Sequence, residues 1–524
     1  MIDRRRFLQL TSGAALGLMT PRCSSTKSSG PADTIIAPSA KLWGGHGSDK
    51  AHAMIPAKSR PEGTLEVFLM GGLNPWDTFY VVPEHGDPQK GGEFAGQQWW
   101  TWQDGEENIP DIFQLCGGGS RPLYEPFAKD SEGLMVNLGP WLYPLRERKD
   151  ILARMRIHVV FHDLEPHEGA CPLFLSGQPR GTPRMASTGS HTQRYWNAHG
   201  VANRTVPYSY VIYPTSNYFA GFNVESAFAI GSHPGTAQPL SIGLMPENPL
   251  SEQLGRASLA GYATEVDAAI QFYLERFKAG YTVPGAPKSL DVPGLMHYIH
   301  ARNAIQMSPD LQDLITPDLL KVMTGNECGY EAELDPSAMG LKIAAHLLTS
   351  PIDPAKYVHT VDSGLIESKD GGYDTHEYHV RDTSRNAVHM CREISKIINE
   401  PGENDPTKLD LDRHQVLITS EMGRTPYPQG GGNVRGLDHW PYGFITVSIG
   451  GFVNDERAGV AGAIGEDARA ITGITPAEYR AALLLAQGIW PFSPESFAVS
   501  DVRGANTELE AAMIVREKVL GFTS

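Results

Sequence analysis

The chain has 524 residues, enough for one large α/β domain with insertions or for two domains. Its composition is that of an ordinary globular protein, 41% apolar and 20% charged, and its 55 Gly and 39 Pro imply many long loops. A formal charge of −16 argues against nucleic acid or an anionic membrane as the main partner.

The N-terminus, MIDRRRFLQLTSGAALGLM, sets Arg4, Arg5 and Arg6 ahead of Phe7, Leu8 and a short stretch rich in Gly and Ala. The pattern resembles a twin-arginine export signal, which carries folded proteins across a membrane, and residues 1–22 are expected to be that signal. The apolar run is too short and too weak to span a bilayer. Cys23 is a candidate point of lipid attachment. The expected location is therefore the periplasm or the extracellular space, with membrane contact only during export or through Cys23. The other cysteines, Cys116, Cys171, Cys328 and Cys391, show no CxxC pairing, which argues against a thiolate metal site. One or two disulfides would suit an oxidising compartment, but spacing does not give their pairing.

Residues 23–62 are rich in Ser, Pro, Ala and Gly and read as a linker or loose arm, with 63–524 as a single domain carrying insertions. The first strand is TLEVFLM (64–70), stopped by Gly71 and Gly72. Trp99, Trp100 and Trp102 follow in a stretch that either stacks on sugar or packs onto the body. RIHVV (156–160) is a second buried strand and leads into HEGACPLFLSG (167–177). Helices are predicted over 262–280, 336–350, 379–399 and 476–490, and strands over 356–364, 414–420 and 443–451. Strands alternating with helices predict an α/β fold, a largely parallel central sheet flanked by helices on both faces.

Ligands of such sheets gather at the carboxyl ends of the strands, and polar residues recur there. Asp77 follows the first strand, and His162, Asp163, Glu165, His167 and Glu168 follow the second. Asp374, His376 and His379 come after 356–364, and Glu421 and Arg424 after 414–420. Asp438 and His439 immediately precede the last strand. Asp, Glu and His sets of this kind are what a divalent metal requires.

The order of these motifs resembles the alkaline phosphatase and sulfatase superfamily. LITSEMG resembles its strand-and-turn TSDHG, and LDHWPYGFITVSIGG its metal-binding His running into a core strand. DTHEYH stands where the superfamily has an Asp and a following His, and HEGACPLFLSG resembles its nucleophile segment. With YDTH upstream of LITSEMGRTP and DHWP, and a twin-arginine leader, the chain resembles an exported family of that superfamily catalogued as a domain of unknown function. The resemblance runs from about Leu65 to Gly451. It implies an alkaline phosphatase-like fold and a metal site drawn from Asp77, Asp374, His376 (or His379), Glu421, Asp438 and His439. The implied cofactor is a divalent cation, zinc first, with calcium, magnesium and manganese as alternatives. The implied reaction is hydrolysis of a phosphate or sulfate ester on a small molecule or polysaccharide. His167 falls in the nucleophile position and would act as base or ligand, and Arg424 would steady the anion. Three departures stand out: Gly72 replaces the first Asp ligand, Met422 replaces a His, and no Ser or Thr occupies the nucleophile position. Cys171 lacks the Arg four residues on that sulfatase chemistry needs, since residue 175 is Leu. These departures favour the alternative, a non-catalytic exported binding or assembly protein that keeps the fold and meets polysaccharide through Trp99–Trp102.

Overall fold

Runs of β-branched and apolar residues bounded by Gly or polar turns become the buried strands of one sheet. The computed structural model describes most of residues 44–85, 108–214, 238–244, 313–365, 372–429 and 436–523, all within the compact unit Leu42–Ser524. The leader, Cys23 and Trp99–Trp102 lie outside the described residues. So does most of the helix expected over 262–280, of which Ala268, Ala269 and Phe272 are described and helical.

The strands that frame the site are β1 (Gly63–Leu69), β2 (Met155–Val160), β3 (Ser209–Pro214), β4 (Leu240–Leu244), β5 (Tyr357–Asp362) and β6 (His414–Thr419). A two-stranded antiparallel hairpin follows, β7 (Gly423–Pro428) with β8 (Leu437–Trp440). Then come β9 (Phe444–Gly450) and β10 (Gly459–Ala461). Among the described residues the central sheet has eight strands in the order β10-β2-β9-β6-β1-β5-β3-β4. β1 is parallel to β6 and β5, β5 to β3, and β3 to β4. β9 is antiparallel to both β6 and β2, and β10 is parallel to β2. Only β9 is therefore reversed, and the sheet is largely parallel as expected.

Helices cover both faces: α1 (His167–Ser176), α2 (Thr188–His199), α3 (Pro336–Thr349), α4 (His379–Ile397), α5 (Pro476–Ala486) and α6 (Glu508–Lys518). The period of two along a strand divides its side chains between those faces. Leu65, Val67 and Leu69 pack with Leu341 and Leu347 of α3 and Met390 and Ile394 of α4. Phe68 and Met70 pack with Phe174 of α1, Leu483 of α5 and Val515 of α6. Asp335 caps α3, its side chain accepting the Ala338 N–H at 2.9 Å, and Thr475 with Glu478 forms a capping box on α5.

One expectation needs correction. The arm expected over 23–62 is part of the domain where it is described: residues 48–53 and 57–59 are 3-10 turns, and Ala53, Met54 and Ile55 are buried against the α5–α6 side of the core. Apolar side chains in that segment gain more from burial than a Ser- and Pro-rich composition suggests. One disulfide joins Cys116 to Cys328 across 212 residues, while Cys171 and Cys391 are buried free thiols.

Candidate metal centre

β1 ends in Gly71 and Gly72, with φ of 114° and 109°, a region that disfavours any side chain. A Cβ on Gly71 would lie 2.2 Å from the Asp374 amide nitrogen, and one on Gly72 would lie 2.9 Å from Arg424 Nε. The two glycines thus admit the loop after β5 and the Arg424 guanidinium over the strand ends. The Gly71 N–H donates to Glu421 Oε1 at 2.9 Å, and Ser420 Oγ donates to the Leu69 carbonyl at 2.9 Å. The Leu73 N–H in turn donates to Ser420 Oγ at 3.1 Å. These bonds lock the ends of β1 and β6 together.

Imidazole nitrogens from three segments then converge on Asp374. His376 Nε2 lies 3.1 Å from Asp374 Oδ1, His167 Nε2 3.3 Å and His439 Nε2 3.6 Å. His376 Nε2 and His439 Nε2 are 3.1 Å apart. Nitrogen and oxygen ligands held about 2.0–2.1 Å from a tetrahedral zinc stand about 3.3 Å from each other, so the spacing suits one cation. The remaining ring nitrogens are anchored: His167 Nδ1 lies 2.7 Å from Glu421 Oε1, and His376 Nδ1 lies 3.1 Å from Gln429 Oε1. Such outer partners fix the tautomer that turns Nε2 toward a metal. His167 Nε2 is buried, with the Asp374 carboxylate 3.3 Å away.

The charges at the site follow from burial and pairing. Burial pushes the Asp374 carboxyl up, but the Arg424 guanidinium and the three histidines outweigh it and hold it well below the usual carboxylate range. Burial opposes a charge on His167, yet Asp374 and Glu421 together push its pKa up to about 9. Burial would raise Glu421, but the bond from His167 lowers it. The Asp374 hydrogen bond raises His376 against its burial, whereas burial prevails at His439 and lowers it. Without a cation, two carboxylates are balanced by Arg424 and a protonated His167.

The structure thus brings together His167, Asp374, His376, Glu421, Arg424 and His439. Asp438 is half-exposed and groups with His376 and His439, their ligand atoms within 4.8 Å of one another; it lies 4.0 Å from His376 Nδ1 and accepts the His439 N–H at 2.8 Å. Asp77 is not in the cluster. Its carboxylate is buried behind the site, bonded to Asn74, Trp141 and His379. His379, the alternative to His376, goes with it. Arg424 also differs from expectation. Its guanidinium is fully buried, bonded to Asp374, the Gly71 carbonyl and, at 3.2 Å, the Leu437 carbonyl. It is the counter-ion of Asp374 and presents no open edge to a substrate. Met422 is buried in the core.

Of the other groups at the site, Gln429 carried no sequence signal. Gln429 reaches His376 only because the β7–β8 hairpin folds back. His162 accepts the Leu164 N–H at Nδ1 (3.1 Å), so its Nε2–H donates to the Glu421 carbonyl at 2.7 Å. Cys171 offers its sulfur near His167 and Glu421, but burial pushes the thiol well above its usual pKa and keeps it protonated. No protein-family model matches the chain, and no curated protein is significantly similar to it.

Proposed function

We propose that the protein is an exported metal-dependent hydrolase of alkaline phosphatase-like architecture that cleaves a phosphate or sulfate ester on a small molecule or polysaccharide. The observation that carries this reading is the convergence of His167, His376 and His439 Nε2 on Asp374 Oδ1 at 3.1–3.6 Å. A divalent cation held there, zinc by its preference for imidazole nitrogen, would supply Lewis-acid polarisation of the ester oxygen. His167 must give up its Nε2 proton to act as a ligand, and Glu421 then retains the Nδ1–H. Gln429 plays the same part for His376. The motif order along a sheet with one reversed strand supports the architecture. The Cys116–Cys328 bond supports an oxidising compartment, and with the twin-arginine leader it favours the periplasm or beyond.

A second reading rests on Arg424. Its guanidinium already neutralises Asp374 and lies 3.4 Å from His376 Nε2, so the cluster can close on a built-in cation. That would suit a non-catalytic binding or assembly protein. Metal analysis of the purified full chain, loaded with zinc, separates the two. The hydrolase reading expects a stoichiometric cation, its loss in His439→Ala with the fold intact, and turnover of aryl phosphate or aryl sulfate. A wild-type chain that takes up no metal under any loading condition would overturn it.

A further inference from the structure

Asp77, His379 and Thr375 form a buried chain directly behind the donor cluster. Asp77 Oδ1 accepts from Asn74 Nδ2 at 2.9 Å, and Oδ2 accepts from Trp141 Nε1 at 3.0 Å. His379 Nε2 lies 2.9 Å from the same Oδ2 and its Nδ1 2.7 Å from Thr375 Oγ1. An Nε2–H donated to Asp77 leaves Nδ1 to accept the Thr375 hydroxyl. The order carboxylate, imidazole, hydroxyl is that of a nucleophilic triad. Exposures of 0% for Asp77 and 2% for His379 and Thr375 leave no path for a substrate to reach that hydroxyl.

The place of Thr375 suggests another use. It lies between Asp374 and His376, whose side chains go to the donor cluster while its hydroxyl goes to His379. Its carbonyl accepts the Leu437 N–H at 3.0 Å, which ties the same residue to the strand carrying His439. The preceding Tyr373 N–H donates to the Met70 carbonyl at 3.1 Å, joining the loop to the end of β1. A buried carboxylate is costly unless fully bonded, and here its bonding runs through His379 to Thr375 at 2.7 Å, with the Thr383 hydroxyl at 3.3 Å, and Thr375 is the residue that spaces two of the four donors. We propose that Thr375, held by the Asp77–His379 pair, is a positioning residue that sets the separation of Asp374 and His376 and thereby the affinity and geometry of the metal centre. The proposal rests on the metal-site reading above.

The test uses the full chain loaded with Co²⁺, comparing wild type, Thr375→Val and Thr375→Ser. Affinity is measured against a competing chelator, and the cobalt absorption bands report ligand geometry. Thr375→Val keeps the shape and removes the hydroxyl. It should weaken cobalt binding about 10–100-fold and alter the bands, and Thr375→Ser should restore both. Wild-type affinity and bands in Thr375→Val would overturn the proposal, as would a Thr375→Ser no better than the valine variant. If Thr375→Val does not fold, Asp77→Asn is judged by the same two measurements. If wild type itself takes up no cobalt, it is the metal-site reading that fails.

Discussion

Two clusters built from His, carboxylate and Arg lie along this one sheet, and they close in different ways. In the middle of β1, Glu66 accepts two bonds from Arg480, at 3.0 and 2.8 Å, and one from Thr419 at 2.8 Å. Tyr357 also donates to it, and His359 Nδ1 lies 3.1 Å away. Arg480, Thr419, Tyr357 and His359 thus all face the one carboxylate. Beyond the strand ends, three imidazole nitrogens crowd one carboxylate oxygen at 3.1–3.6 Å. Residue types alone do not distinguish a structural ion pair from a binding site. The difference lies in whether donors and acceptors balance internally.

The largest effect is expected from breaking the balanced cluster. Arg480→Met leaves Glu66 buried and unpaired, and urea denaturation should show a loss of about 3–5 kcal/mol, with metal content unchanged. A loss near zero would mean that the two clusters do not differ as described.

The same pair should shape acid stability. Burial pushes the Glu66 carboxyl up, but Arg480 and His359 prevail and hold it well below the usual range. The unfolded chain therefore binds this proton more readily. The stabilisation is fully present above an unfolded carboxyl pKa of about 4.3 and is lost as pH falls through the folded value. Urea midpoints measured from neutral pH down into that acid range should fall less steeply in Glu66→Gln than in wild type. Equal slopes would remove Glu66 as the source.

Cys171→Ala should have the smallest effect. The protonated thiol contributes packing, with its sulfur 3.8 Å from Met70 Sδ, so a loss of about 1 kcal/mol is expected. Metal content and turnover should not change. If metal disappears with the thiol, the centre extends to His167, Cys171 and Glu421 and the boundary drawn between the clusters is wrong.

Much of the scaffold was legible because buried strands are continuous apolar runs: the strands expected from 64, 156, 356, 414 and 443 all form, as do helices α3, α4 and α5. The missed pieces had weaker signals. SYVIYP of β3 holds only Val211 and Ile212 as aliphatic residues, while α2 is too polar to show a periodic stripe. The reversal of β9 carried no signal in its apolar run: the connection from β6 to β9 contains the separate β7–β8 hairpin, and β9 returns antiparallel to β6. At the site, position after a strand located His167, Asp374, His376 and Glu421, and position before one located His439, but neither could separate Asp77 from them. Asp77 lies five residues beyond Gly72, and only the turn at Asn74–Trp76 sends its side chain behind the loop rather than over it.

The reversed strand also sets the order in which the molecule can assemble. β9 sits between β6 and β2, pairing Phe444 with Val160 and Val447 with Ile418. Until the chain beyond Phe444 has been synthesised, β2 has no neighbour in the sheet and β6 offers an open edge. Pairing across such long sequence separations is slow, and an uncovered parallel edge is open to association with other chains. Because His167 follows β2 and His439 precedes β9, these two candidate ligands can come together only after the chain beyond Phe444 is available.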